Sequence, residues 1–231
     1  MKAATVLVVI LSCLSMIDFS GCSRGPKETP LSQAEIQEAA KFFGGNTNFT
    51  CTQTHTIRGP AFQNVPPWIE TLAFSEGKRR DKMSQYDGAP IIIFRPDRKT
   101  IYNLWPSDKV VTEIRLPEGY KMSVSQIPFL HMVREKADIG SETINGHPCV
   151  KCRVVTQEEE GIIEWTTWEA TDMNRFPVRA EHPAVRQQTV RFEFSDIVLT
   201  KPDPSLFEPP KGYKKITNER DAANYIWRKL Q

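Results

Sequence analysis

The sequence predicts a mainly β domain in which a single curled antiparallel sheet of about eleven strands forms an unclosed half-barrel. Short runs rich in Thr, Val and aromatic residues succeed one another along the chain, which is typical of strands. Turn-forming pairs such as Asn145-Gly146 separate several of these runs. The 17 prolines argue against a helical bundle, since proline breaks helices.

The predicted strands follow one another with few interruptions. In chain order they span residues 49–58, 68–75, 78–86, 90–94, 100–105, 110–116, 142–144, 147–156, 162–170, 177–181 and 189–199. A meander of this length has to curl or close in order to protect its edges. A curled sheet has a concave face, and helices packed on that face leave an apolar cavity of the kind that holds an apolar ligand.

Helices are predicted at the N-terminus, at a central crossover and at the C-terminus. Ser32 and Glu35 form a capping box that begins the first helix. The crossover, residues 121–137, contains Pro128, which divides it into short helices. The last helix, residues 218–230, carries its apolar residues on one side.

The N-terminus resembles the signal peptide of a bacterial lipoprotein. The apolar run 3–17 is short for a membrane span of about 20 residues and is followed by Asp18. Residues 19–22, Phe-Ser-Gly-Cys, resemble a lipobox, in which small residues precede the cysteine that receives the diacylglycerol. The resemblance implies cleavage between Gly21 and Cys22 and lipid attachment at Cys22. An ordinary secretory signal and an uncleaved anchor are the alternatives, but no small-x-small site offers a better cut.

These features divide the chain into a signal peptide (1–21), a lipidated linker (22–31) and one folded domain (32–231). Ser23 stands where an Asp would favour retention in the inner membrane, so the resemblance implies the outer membrane, facing the periplasm. The expected partner is therefore the membrane, through the lipid anchor. The net charge of +2 is too small to indicate nucleic-acid binding. Beyond the signal, no apolar stretch is long enough to span a bilayer.

Three of the five cysteines lie in the predicted domain, where an oxidising compartment favours one disulfide. The expected bridge joins Cys51 to either Cys149 or Cys152 and leaves one thiol over. Cys149 and Cys152 have C-x-x-C spacing, but a strand directs their sulfurs to opposite faces, which argues against a thioredoxin-like site. His147 adds a third candidate metal ligand, which falls short of the usual tetrahedral set. We therefore predict neither a metal nor a cofactor.

No residue pattern indicates an enzyme. Ser205 lacks the G-x-S-x-G context of a hydrolase nucleophile. The acidic run 158–160 is explained by a solvated hairpin turn. The carboxylates on or near the later strands, from Glu164 to Glu181, show no spacing that marks two of them as a catalytic pair.

Three segments of the C-terminal half resemble the LolA-like superfamily of periplasmic lipoprotein carriers and its lipoprotein relatives. They read ETINGHPCVKCRV, EWTTWEATDMNRFPVRAE and DIVLTKPDPSLFEPPKGYKKI. The most specific part is PSLFEPPKGY, residues 204–213, followed by the stretch 172–177, and the resemblance in strand order covers residues 45–216. It implies an unclosed β-barrel with helices as a lid over a hydrophobic cavity for acyl chains, without shared catalytic residues.

Two functions fit these observations. The first is a non-catalytic carrier or receptor for a lipid, a lipoprotein acyl chain or another amphiphile. The second is an interaction or stress-sensing module whose half-barrel binds another envelope protein. The residues expected to line the cavity or form its lid are Trp68, Phe74, Phe94, Trp105, Ile127, Phe129, Leu130, Val133 and Trp165. Large side chains that fill the cavity would weaken the first function.

Overall fold

The computed structural model describes residues 33–59, 65–84, 88–115, 132–158, 161–184 and 188–230. The helices are α1 (Gln33–Ala40), which continues into a 3₁₀ turn at Lys41–Phe43, and α2 (Glu219–Leu230). The strands are β1 (Asn48–Arg58), β2 (Trp68–Ser75), β3 (Lys78–Met83), β4 (Ile91–Arg95), β5 (Thr100–Trp105), β6 (Val110–Arg115), β7 (Met132–Ile144), β8 (His147–Glu158), β9 (Gly161–Ala170), β10 (Phe176–Ala184), β11 (Gln188–Val198) and β12 (Lys214–Ile216).

All twelve strands form one sheet, in the order β12-β6-β5-β4-β3-β2-β1-β11-β10-β9-β8-β7. The sheet ends in two different edge strands and is not closed, which confirms the predicted unclosed, mainly β fold. Two details differ from the prediction. The described strands number twelve, and the last, β12, runs parallel to β6, which makes the sheet mixed. β12 was missed because three residues carry no alternating pattern and their pairing depends on contacts distant in sequence.

The second difference concerns the crossover, because the predicted strand 142–144 extends back to Met132 as β7. Residues 132–137 are therefore strand and not crossover, and Val133, expected in a lid, lies in β7. The long partner strand β8 explains the extension, since most of the further residues of β7 pair with residues of β8. Two bulges, at residues 133–135 and 138–140, shift the register of the long hairpin. The predicted helices over 121–131 lie outside the described residues.

Two tight turns connect neighbouring strands, and one of them, Asn145-Gly146, is a turn predicted from the sequence. Asn145 and Gly146 both have positive φ angles, 51° and 88°, as a type I′ turn requires. Glu76 and Gly77 connect β2 to β3 with φ angles of 50° and 85°. These turns set the register of adjacent strands, and the register decides which side chains lie on the same face of the sheet.

The sheet has an inner and an outer face, which β1 defines. Phe49, Cys51 and Gln53 point to the inner face and are buried, whereas the threonines at even positions lie on the outer face. The rings of Phe49 in β1 and Phe176 in β10 are 4.9 Å apart although β11 lies between their strands. Neighbouring strands lie about 4.8 Å apart, so this contact shows that the inner face is concave.

Helical elements pack on two regions of the inner face, the main core and the part formed by β5 and β6. Phe42 and Phe43 of the 3₁₀ turn pack into the main core, and Ile226 of α2 packs on Trp105 and Val110. No helix among the described residues is long and apolar enough to cross a membrane.

The segment 199–213 covers the outer face of β4–β6 and explains the most specific sequence motif. Phe207 packs against a cluster that includes Ile93 and Leu104. The buried Arg95 donates from Nη1 to the carbonyl oxygen of Phe207 at 3.1 Å and forms an ion pair with Glu208. The motif 204–213 therefore serves as a structural strap across the sheet.

Candidate functional site

One end of the inner face, the closed end, is a packed aromatic floor. Phe43 is at the centre of this floor, and its ring lies 4.8 Å from Phe49, 6.4 Å from Phe74, 5.6 Å from Phe176 and 6.2 Å from Phe194. All five side chains are buried. Phe74, predicted to line a cavity, is therefore part of a filled core.

The other end of the inner face, the open end, lies where β1 ends at Arg58 and β2 begins at Trp68. Its apolar side chains are only half-buried. They form a strip that consists of His55, Ile57, Trp68, Ile163 and Val190. The strip borders the main core, which Ile163 and Val190 contact directly.

His55 belongs to this strip as a neutral aromatic ring. It stacks on Phe192 with centroids 4.5 Å apart, and its centroid is 6.1 Å from that of Trp68. Burial, together with the nearby His182, lowers the pKa of His55 to about 4. The strip is therefore uncharged at neutral pH.

A polar cluster lies on the same face, two residues closer to the closed end than His55 and Trp68 along β1 and β2. Gln53 and Glu70 are directly opposite each other in β1 and β2, and Gln53 Nε2 donates to Glu70 Oε1 at 2.9 Å. In β3, Arg79 Nε donates to both oxygens of Asp81, at 2.8 and 3.0 Å. Burial, with the neighbouring Asp81 charge, raises the pKa of Glu70 to about 8, and burial also raises the pKa of Asp81.

The structure places the five described aromatic candidates on the inner face but in different surroundings. Phe74 and Trp165 belong to the main core, and Trp105 is covered by α2. Phe94 is buried in β4 opposite Arg79. Trp68 alone among the five is half-buried, in the strip at the open end.

The remaining candidates lie elsewhere. Val133 is half-buried against the main core, opposite Thr156 of β8. The other lid and anchor candidates lie outside the described residues, and they are Gly21, Cys22, Ile127, Phe129 and Leu130. The cluster around Gln53 and Glu70 was missed from the sequence. Its signal was weak but present, since the strand period places Glu70 on the same face as Leu72 and Phe74.

The expected disulfide is not formed, because Cys51, Cys149 and Cys152 are all free thiols. Cys51 in β1 and Cys152 in β8 share the inner face, but three strands separate β1 from β8. That separation is about 19 Å along the sheet, whereas bridged cysteines have Cα atoms about 4.4–6.8 Å apart. Cys149 lies in a different core cluster, as the strand pattern predicts.

None of the three thiols is an activated nucleophile. Burial raises the pKa of Cys51 and of Cys149, and burial together with the Glu169 charge raises that of Cys152 to about 12. Thiolates are the reactive form of cysteine, so redox catalysis by the C-x-x-C pair is disfavoured. Across the described ranges, no group of three or more His, Cys, Asp or Glu side chains is arranged to hold a metal.

A groove of about 510 Å³ lies between α1 and β7, outside the inner-face strip. Lys41, Lys136 and Arg175 contribute positive charge to its walls. These charges are already paired, since Lys136 Nζ lies 2.6 Å and Arg175 Nε 2.9 Å from the buried carboxylate of Glu169. Lys41 pairs with Glu38 at 2.5 Å. Each of these three cations therefore already has a carboxylate partner.

No family model and no curated protein sequence matches this chain. Several solved structures are similar in fold. An uncharacterized conserved protein from Thermus thermophilus has a TM-score of 0.49 at 9% identity, covering 80% of this chain and 98% of its own. A LolA superfamily protein from Nitrosomonas europaea has a TM-score of 0.38 at 12% identity, with 77% and 98% covered. The lipoprotein LppX from Mycobacterium tuberculosis has 0.37 at 12%, with 71% and 93% covered.

LolA-superfamily and lipoprotein structures are thus among the matches, as the sequence resemblance predicts. The likenesses are too distant to transfer a function or a site residue.

Proposed function

We propose that this protein is a lipid-anchored lipoprotein of the cell envelope whose half-barrel binds an acyl chain or another amphiphile on its inner face. It acts as a non-catalytic carrier or receptor. The observation that carries the proposal is the strip of half-buried apolar side chains at the open end of a concave face. Such a strip gains about 0.8 kcal/mol for each methylene that it removes from water.

The packed floor limits where a ligand can lie. Phe42 and Phe43 occupy the closed end, so a chain would bind along the strip at the open end rather than through the whole half-barrel. Among the aromatic candidates described, Trp68 is the one that belongs to the strip and keeps part of its surface exposed. Trp68 is therefore the best single probe of the proposed site.

We expect Trp68→Ala to weaken binding of a fluorescent fatty acid about tenfold, because the lost indole surface contributes about 1–2 kcal/mol of apolar burial. A form beginning at Ser23 is suitable, since every described element lies within residues 33–230. Binding is measured by fluorescence titration. Trp227→Ala is the matched control, because this indole is 52% exposed on α2, and it should bind like the wild type. Equal affinity for all three proteins would argue against the site.

The lipid anchor is part of the proposal and follows from residues 19–22. Cys22→Ala should remove incorporation of an alkyne-labelled fatty acid in cells, because the thiol is the group that receives the lipid. The readout is in-gel fluorescence after conjugation. Equal labelling of wild type and variant would contradict the anchor.

A second function is favoured by one specific observation, the exposed edge strand β7. Residues 134–143 are all exposed, and among the described strands β7 pairs with β8 alone. A free edge can accept a strand from another envelope protein. Partner binding that depends on this edge, with no amphiphile binding at the open end, would favour the interaction module over the carrier.

A further inference from the structure

The inner face carries a cluster of charged side chains that is surrounded by apolar side chains. Glu70 and Asp81 are each 8% exposed, and Gln53 and Arg79 are 1% exposed. Apolar side chains such as Leu72 and Phe94 surround them on the same face. Burying charges in apolar surroundings costs stability, and perturbed buried charges concentrate at functional sites.

The pairing within this cluster is unequal. Two carboxyl groups share one guanidinium, and Arg79 directs its Nε to Asp81, whereas its Nη2 lies 4.0 Å from Glu70 Oε1. Glu70 Oε1 accepts from Gln53, which is neutral. Asp81 is therefore compensated by an adjacent charge, and the charge of Glu70 is compensated less.

One acceptor oxygen of the Gln53–Glu70 pair remains open. Gln53 Oε1 is fully buried and receives no hydrogen bond within the described part of the chain. An unsatisfied buried acceptor costs about 1–3 kcal/mol, so this pair is suited to a ligand that donates hydrogen bonds.

The chemistry of that ligand follows from the charges. An anionic head group would face two carboxyls, and Arg79 is already engaged with Asp81. A hydroxyl would supply one donor and no charge. A primary ammonium supplies three donors and one positive charge, which matches an open acceptor beside an undercompensated carboxyl.

We propose that Gln53 and Glu70 bind the primary ammonium head group of an amphiphile whose apolar part lies on the strip at the open end. This inference rests on the proposed function, because it names the head group of a ligand for the same face. His55 and Trp68 connect the two regions, since they follow Gln53 and precede Glu70 on the inner face. The raised pKa of Glu70 agrees with a carboxyl that awaits a cationic partner.

The test compares three ligands with the same dodecyl chain: dodecylammonium, dodecanol and laurate, each below its micelle-forming concentration. Their affinities are measured at pH 9, where Glu70 with its pKa of about 8 is ionised and a primary ammonium keeps its charge, by displacement of a neutral fluorescent apolar probe from the form beginning at Ser23. The wild type should bind dodecylammonium about tenfold more tightly than dodecanol, because charge-assisted hydrogen bonds exceed neutral ones in strength. Glu70→Gln should reduce this preference to about twofold or less.

Two further variants keep the test decisive. Gln53→Leu should also reduce the preference without changing the charge, and it serves if Glu70→Gln does not fold. Glu193→Gln removes a carboxyl from the outer face, where Glu193 pairs with Arg179, and should keep the full preference.

The possible results separate the two proposals. If the wild type binds dodecanol as tightly as dodecylammonium, or binds laurate most tightly, the head-group inference is overturned while the carrier function stands. A preference that survives in both Glu70→Gln and Gln53→Leu overturns the inference as well. If none of the three ligands displaces the probe from the folded wild type, the proposed function itself fails.

Discussion

Replacing Phe43 by alanine is expected to lower the free energy of unfolding by about 3–5 kcal/mol, the usual cost of truncating a buried phenylalanine. The ring is 1% exposed and contacts four other phenylalanines of the floor. Its removal leaves a cavity that rigid strands on both sides cannot close. Urea unfolding followed by circular dichroism measures the loss as a lower midpoint at an unchanged slope.

Ile162→Ala is the control for this prediction. Ile162 is 70% exposed at the start of β9, so its truncation should cost within about 0.5 kcal/mol. A loss below about 1 kcal/mol for Phe43→Ala would show that the 3₁₀ turn at Lys41–Phe43 is not a fixed part of the core. The turn would then be a candidate for a movable plug, and the ligand path would extend to the closed end.

The second large effect is expected for Arg95→Met, which should cost about 2–3 kcal/mol of unfolding free energy. Arg95 is buried and contacts the strap at two points, the carbonyl oxygen of Phe207 and the carboxylate of Glu208. Its guanidinium also pairs with Asp97 at 2.7 Å. Methionine preserves much of the apolar stem but none of these bonds. Arg98→Met is the control, because this more exposed partner of Glu208 should cost less than about 1 kcal/mol.

The Arg95 effect should depend on pH. Burial opposes ionisation of Asp97 and Glu208, but the hydrogen bonds and charge of Arg95 outweigh it and hold the pKa of both carboxyls below the ordinary range. A depressed carboxyl pKa stabilises the fold above the unfolded-state pKa of about 4, and this stabilisation disappears as the pH falls through the folded-state pKa. The difference between wild type and Arg95→Met should therefore shrink from pH 7 to pH 3. A difference that stays constant over this range would contradict the ion-pair account.

Most of the strands could be predicted because short stretches of sequence, such as alternating patterns and turn pairs, determine them. Alternation identified β1 from its threonines, and Asn145-Gly146 identified the β7–β8 hairpin. The start of β7 was not predictable from residues 132–137 alone, since their pairing depends on the length of β8. β12 depends in the same way on the strap that carries it to β6.

The site was predictable in part. The described aromatic candidates all lie on the inner face, but the sequence did not show which of them are covered. Trp105 is covered by α2 and Phe74 by Phe43, and both contacts join residues distant in sequence. The Gln53–Glu70 pair depends on the register of β1 against β2. The free thiols depend on strand order, which places β11, β10 and β9 between Cys51 and Cys152.

The central claim is that an acyl chain binds on the inner face at the open end, and photocrosslinking tests it most directly. A fatty acid with a terminal diazirine is bound to the form beginning at Ser23, irradiated and mapped by peptide mass spectrometry. The account predicts label on the inner-face strip, in peptides that contain residues 55–57, 68–70 and 190–192, and its loss when unlabelled fatty acid competes. Label confined to β7 or to the outer face, or label that competitor does not remove, would contradict it.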